Sequence, residues 1–466
     1  MCCAMKSYKK ILSQRKGSVR VQGRILFCVS LFILSILFPG ISSQGQVFPY
    51  PTNPTLPKGQ PPKRPDNVYT STKSVVTVSW WDSDPTDQTQ AIQAALDSRA
   101  QTVIIPYVGK KWIVRPITVV GNQEIIFEPG VVVTANKGAF KGPRDCLFLA
   151  QDVSNVTFRG YGATLMMRKS DYQSDEYEDT GFRHVIGLRG ASDIKILGLR
   201  LASSGGDGIC LNRGAKKQPC TNILIRDCFC DDNYRQGLSI VSGNGVWIEN
   251  SVFSGTKGTA PSAGIDVEPY LFEDVVANIV IRNCIARNNA GSGFIASVSN
   301  LSVKSHDISI LFDNCYAINC SESGLRVRAV NNNRRPRGKI EFRNCICEDI
   351  SYPGAWIQFE KVDSSLQIIY RNCKFKNVSR WRSQNPIGLS LLKKKPTQQF
   401  GQIEFIDCFV FDKMDRPFLA IKDEKGRQGI YDIKGSFTVV NSHGEKNDAQ
   451  IRDKVPFITT RYLNPQ

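Results

Sequence analysis

One short phrase recurs seven times down the middle of this chain and leaves it few ways to fold. The phrase is a glycine, an apolar residue, any residue, then another apolar residue. It appears as Gly208-Ile209-Cys210-Leu211, Gly237-Leu238-Ser239-Ile240, Gly264-Ile265-Asp266-Val267, Gly293-Phe294-Ile295-Ala296, Gly324-Leu325-Arg326-Val327, Gly354-Ala355-Trp356-Ile357 and Gly388-Leu389-Ser390-Leu391. Most copies follow a second phrase of alternating apolar residues ending in Asn or Asp and then Cys, as in Ile281-Arg282-Asn283-Cys284 and Phe342-Arg343-Asn344-Cys345. Self-similarity at a period of roughly 20–50 residues marks a solenoid. Alternation with period two makes each segment a strand with one buried face. The expected fold is all-β: a single-stranded right-handed parallel β-helix.

The repeat overrides what length alone suggests. A chain of 466 residues would ordinarily hold two or three domains, but a solenoid grows by adding coils and needs no second core. The β-helix is expected over residues 75–425, with 426–466 as its C-terminal cap. Residues 87–98 place Ala91, Ile92, Ala95 and Leu96 on one helical face. A short α-helix here would cover the open edge of the first coil.

Ahead of the coils, the first 24 residues carry seven Lys or Arg and no acid, and an apolar run spans Ile25 to Phe38. That pattern reads as a secretory signal over 1–45, with an uncleaved signal anchor as its rival. The run is short for a span of about 20 residues, so no stable membrane span is expected after cleavage. Residues 46–74 are a Pro-rich linker. A secreted or periplasmic location follows. Loss of the seven basic residues takes the net charge from +18 to +11. Such a surface attracts polyanions, and export points to acidic or sulfated polysaccharide rather than nucleic acid.

Cys228, Cys284, Cys315, Cys345, Cys373 and Cys408 share one register, with Ser251 in their place in one coil. They read as a buried column of small thiols. Pairing among Cys146, Cys210, Cys220 and Cys320 is compatible with an oxidising compartment. The Asn residues before the column suit tight left-handed turns and a hydrogen-bonded ladder along the axis.

The helix 87–98 leading into strands, the apolar-Asn-Cys turns and the Gly-apolar strands resemble the pectate-lyase superfamily of right-handed β-helices. The resemblance implies a substrate cleft along the Gly-apolar strands and the turns before them. That superfamily holds lyases, hydrolases, epimerases and non-catalytic adhesins, so activity must come from the site.

In each Gly-apolar-x-apolar strand, the residue between the apolar pair and the one after it should face solvent. Read coil by coil, those positions are Cys210/Asn212, Ser239/Val241, Asp266/Glu268, Ile295/Ser297, Arg326/Arg328 and Trp356/Gln358. The entering turns add Arg183-His184, Gly206-Asp207 and Arg235-Gln236. The candidate catalytic residues are therefore Asp207, Arg235, Asp266, Glu268, Lys257 and His184. Asp231, Asp232, Tyr234, Arg326, Arg328 and Trp356 are candidate substrate contacts.

Two chemistries suit them. In a lyase, Asp207, Asp266 and Glu268 would hold a Ca²⁺ that neutralises a uronate, and Arg235, Lys257 or His184 would take the C5 proton. An epimerase would share that first step. In a glycoside hydrolase, Asp266 or Glu268 would pair with Asp207 or Asp232 as acid and base. A glycan-binding protein without catalysis is the third reading. The strand from Arg235 to Ile240 resembles a galacturonase strand but has Gln236 where that family has His.

Overall fold

The computed structural model describes residues 75–329, 335–359, 366–380, 385–390, 399–400, 402–414, 416–422, 429–430, 432–441 and 458–463. The expected signal segment and linker lie outside them. Among the described residues no helix is long and apolar enough to cross a membrane.

The strands stack into a parallel β-helix. Among the described residues eleven form one wall, the front sheet, every neighbouring pair parallel. The other two walls are merged by the long strand Ile403–Asp412, which pairs with Leu366–Arg371 of one wall and Lys374–Lys376 of the other. Parallel crossovers within one sheet are right-handed in about 98% of cases, which gives the tower its hand. Two further parallel strands, Ile433–Asn441 and Ile458–Leu463, make up much of the described tail.

Register is held by side chains that repeat from coil to coil. Ile209, Leu238, Ile265, Phe294, Leu325, Ala355 and Ile387 lie directly above one another in the front sheet, all at or near zero exposure. Deeper in, Phe312, Phe342, Tyr370 and Phe405 stack face to face with centroids 4.6, 4.8 and 5.0 Å apart. Those spacings match the rise between parallel strands, about 4.8 Å. One phrase falls out of step: Gly388 stands beside Trp356 and not beside Gly354. Ile387 and Leu389 supply the inward pair there, so the seventh copy is shifted by two residues.

The turn columns are as the sequence implied. Asn250, Asn283, Asn314, Asn344 and Asn372 have φ between 50 and 55°, a region Asn tolerates. The side-chain amide of Asn314 donates to Asn283 (2.8 Å), Asn283 to Asn250 (3.2 Å), and Asn372 to Asn344 (2.8 Å). The cysteines that follow are buried, and all twelve from Cys146 to Cys408 are free thiols. Each column sulfur points at a carbonyl of the preceding coil, as Cys373 does at Phe342 O, 3.3 Å away. Ser251 fills its gap by donating to Glu249 O (2.8 Å) and accepting the Cys228 amide (3.1 Å). At the N-terminal end, the α-helix Thr89–Asp97 buries Ala91, Ile92, Ala95 and Leu96 against the first strands.

Candidate functional site

The glycine that opens each front strand determines which way its neighbours face. A Cβ on Gly208 would sit 2.6 Å from Gly237 O and 3.0 Å from the interior Cys230 sulfur. One on Gly237 would lie 2.9 Å from the Phe253 ring. The backbone here runs hard against the inner wall, where only glycine fits. Ile209 and Leu238 then point inward, while the residues before the glycines, Asp207 and Gln236, join Cys210, Ser239 and Asp266 on the outer face. Asp207 lies opposite Gln236, and Ser239 lies between Cys210 and Asp266 in successive rungs.

Alternation put Cys210, Ser239 and Asp266, and the entering turns put Asp207 and Gln236, on the outside of the sheet and in solvent, yet solvent does not reach them. Asp207 is 0% and Asp266 2% exposed. Three inserted stretches roof them. Residues 167–184 interrupt the coils, and their end descends onto the site, with Phe182 5.6 Å from the Arg235 guanidinium. Arg183 anchors that stretch from full burial, donating to Phe140 O (2.9 Å), Glu178 O (3.0 Å) and Lys141 O (3.4 Å) between the Tyr172 and Tyr177 rings. The turn 255–262 and the loop 268–275 close the other sides.

Beneath this roof Asp207, Arg235, Glu268 and His184 meet. Arg235 Nη1 donates to Asp207 Oδ2 at 3.3 Å, and its Nη2 binds Glu268 Oε1 and the Tyr270 hydroxyl (3.2 Å). Tyr270 in turn donates to Glu268 Oε1 (3.2 Å), as does Gln236 Nε2 (3.0 Å). Ser239 Oγ donates to Asp207 Oδ2 at 2.6 Å. His184 Nδ1 accepts the Asp207 backbone N–H at 3.0 Å and lies 3.3 Å from Asp207 Oδ2. Two carboxylate oxygens, Asp207 Oδ1 and Asp266 Oδ1, are buried without a hydrogen-bond partner. Buried polar atoms are rarely left so.

Burial drives the protonation of the site. It pushes the Asp207 carboxyl up to about 7, with Arg235 pulling it down and Glu268 adding to the rise. Asp266 is held well above the carboxylate range by burial and then by Glu268, against Arg235 and the Ser297 hydroxyl. Burial, then Arg235, keeps His184 well below the usual imidazole value. It is neutral, and since Nδ1 accepts a hydrogen bond, its proton sits on Nε2. Burial opposes charge on Arg235, but Asp207 and Glu268 outweigh it and hold the guanidinium firmly cationic. This corrects two sequence expectations: neither Arg235 nor His184 Nδ1 is placed to take a proton.

Other candidates stand apart from the cluster. Asp231 is tied to Arg200 (2.6 Å), and exposed Asp232 to Lys169 (2.8 Å) and Ser203 Oγ (3.1 Å). These are braces between coils. Lys257 is exposed on its turn. Tyr234 is half-buried, with Gly258 set against its ring. Arg326 and Trp356 form their own group two and three rungs further on. The guanidinium lies 4.5 Å over the indole and binds Glu322 (2.8 Å) and Gln358 (2.7 Å), while Tyr352 stacks on the indole at 6.0 Å. Arg328 is exposed beside them. The sequence reading passed over Tyr270 and Phe182, and listed Ser239 and Gln236 without assigning them to the site.

A metal fits this cluster poorly. Calcium takes six to eight oxygen ligands, whereas Glu268 and Asp207 already spend oxygens on Arg235, whose charge occupies the cation's place. His184, Asp207 and Cys210 do bring ligand atoms within 4.8 Å of one another, but Nδ1 of that histidine is engaged by the Asp207 amide.

Comparison with known proteins agrees with the architecture. Residues 150–333 match the family described as right handed beta helix region. An uncharacterized protein of Bacillus subtilis (strain 168), YclG, is 29% identical over 225 residues, 46% of this chain and 37% of that protein. Among solved structures, the mannuronan C-5 epimerase AlgE6 A-module of Azotobacter vinelandii superposes with a TM-score of 0.59 at 14% identity. The match covers 84% of this chain and 99% of that one. A tailspike protein of E. coli bacteriophage HK620 in complex with a hexasaccharide gives 0.55 at 12% identity over 81% and 67%. The chain has the right-handed parallel β-helix fold.

Proposed function

We infer that the chain is a carbohydrate-active enzyme that works on an acidic polysaccharide by proton abstraction and β-elimination at the outer face of the front sheet. One observation carries this reading: Arg235, a fixed cation, lies between the carboxyl groups of Glu268 and Asp207, and Asp207 has an unpartnered second oxygen and a carboxyl that burial pushes up to about 7. A sugar acid needs its negative charge neutralised before the adjacent C–H becomes acidic, and Arg235 supplies that charge. Asp207, half-ionised near pH 7, has the pKa suited to a general base at that pH. Asp266, kept protonated, can return a proton to the leaving oxygen. Fold likeness to a mannuronan epimerase and to a glycan-bound tailspike supports a polymeric sugar as ligand.

A hydrolase is the second reading, favoured by the same protonated Asp266, since glycoside hydrolysis requires one carboxylic acid and one carboxylate. The test is incubation with polygalacturonate, alginate and a sulfated glycan, with and without chelator. Ultraviolet absorbance from an unsaturated uronate supports elimination. Reducing ends without it support hydrolysis, and binding with no product sinks both. Activity that survives chelation agrees with Arg235 as the neutralising charge.

A further inference from the structure

A base and an acid with no exposed surface cannot meet a polymer as they stand. Between them and solvent lie Arg235 and Glu268, with side chains 10% and 12% exposed, and above those Tyr270, 37% exposed. The three close a triangle in which Arg235 binds Glu268 and Tyr270, and Tyr270 binds Glu268. Arg235 is also the group that touches Asp207 below.

The loop that carries Tyr270 joins the strands Ala263–Val267 and Val276–Arg282. Its far end is pinned by Asp274, which takes the amides of Tyr270 (2.8 Å) and Leu271 (2.7 Å) and is held by Arg213 (2.8 Å). Its near end meets the site through the side chains of Glu268 and Tyr270. The preceding front rung has no such loop, since Ile240 and Gly243 are separated by two residues.

We propose that Arg235, Glu268 and Tyr270 form a latch over Asp207 and Asp266 that an anionic sugar group opens by replacing Glu268 on Arg235. This rests on the reading of Asp207 and Asp266 as the reacting pair. The exchange conserves charge. A carboxylate or sulfate that takes the guanidinium leaves it paired throughout, and Glu268, on the solvent side, turns out to water. A neutral sugar offers no such replacement, so opening would leave the buried guanidinium with only its longer contact to Asp207 (3.3 Å), and losing the closer partner of a buried cation is unfavourable. Glu268 and Tyr270 are therefore specificity-determining residues: they make the reacting pair available to charged glycans and withhold it from neutral ones. Beside the latch, Leu271 and Phe272 are 45% and 43% exposed and offer an apolar surface on which a sugar ring can lie once the latch opens.

The experiment titrates the full chain with trigalacturonate, its neutral methyl ester and a sulfated disaccharide. The wild type should bind trigalacturonate about tenfold or more tightly than the ester, and the sulfated arm shows whether sulfate serves as well as carboxylate. Glu268→Gln removes the competing carboxylate and should tighten trigalacturonate binding about tenfold without moving the ester; Tyr270→Phe should tighten it about threefold. Equal affinity for ester and acid in the wild type, or weaker acid binding in Glu268→Gln, overturns the latch. Amide hydrogen exchange over 268–275 reads the same device without ligand. Faster exchange in both variants at unchanged melting temperature supports it, and unchanged exchange refutes it. Should no saccharide bind the wild type, the substrate reading fails while exchange still decides the latch.

Discussion

Two columns of polar side chains run up this molecule, and they obey opposite rules. In the turn column Asn283, Asn314 and Asn372 each hand an amide to the Asn one coil away, and Asn344 hands its own to Asp313, so neighbouring rungs largely repeat one another. On the outer face of the front sheet no rung repeats another: Asp207, Arg235, Ser239, Asp266 and Glu268 come from three rungs, and two carboxylate oxygens find nothing. A periodic polar column is satisfied by the fold itself. An aperiodic one, roofed by inserted loops and left partly unsatisfied, is a place where the fold carries a cost that only a ligand relieves.

Substitutions should separate the columns by kind of damage. The largest effect is expected from Asp266→Asn, which removes the proton donor while keeping shape. Turnover on the responsive polysaccharide should fall about 10²–10⁴-fold with the circular dichroism melt unchanged, and full activity would remove this residue from the chemistry.

Next comes the glycine that turns the front column outward. Gly237→Ala drives a Cβ against Gly264 O and the Phe253 ring, an overpacking expected to cost about 1–3 kcal/mol in urea unfolding and to lower activity by tilting Gln236 and Arg235.

The third test is pH. Folded Asp207 keeps its proton to about 7, whereas an unfolded carboxylate releases it near 4. The folded state therefore binds the extra proton in between, and stability falls as pH rises from about 4 to about 7. For this group alone the loss is of order 4 kcal/mol. Asp207→Asn should flatten that slope, and an unchanged slope in urea midpoints would mean the carboxyl titrates normally.

The smallest effect belongs to the periodic column. Asn314→Ala breaks the ladder bond to Asn283 and should cost about 1 kcal/mol with no change in kinetics. A loss of activity there would erase the distinction between the columns.

Sequence reading reached one column more fully than the other, for a physical reason. Cys284 and Asn283 announce themselves by recurrence, and recurrence is also what makes their environment uniform, so burial and partner follow together. Asp266 and Glu268 were legible on one face from alternation, and Asp207 and Arg235 from the turns entering the same strands, because register is a local property; the coil of His184 lacks the glycine that fixes that register. Their burial was not, since it depends on what inserted loops do above the sheet. Tyr270 had a signal: the eight residues between Val267 and Val276 exceed the two between Ile240 and Gly243. Asp231 and Asp232 misled because a carboxylate beside a turn looks the same whether it serves a substrate or an arginine one coil away. At Gly388 a glycine of the right spacing stood two residues out of register in its rung, and the inward pair Ile387 and Leu389 outweighed it.

The constricted glycines of the front sheet carry a further implication. Because each rung leans on the two beside it and on nothing more distant, the segments leaving its ends are free to lengthen without disturbing the interior, and longer closures add little entropy. New specificity can thus be acquired at the rim by insertion alone, rung by rung. Chains sharing this tower should differ most in the length of those rim segments and least in the small residue beneath them.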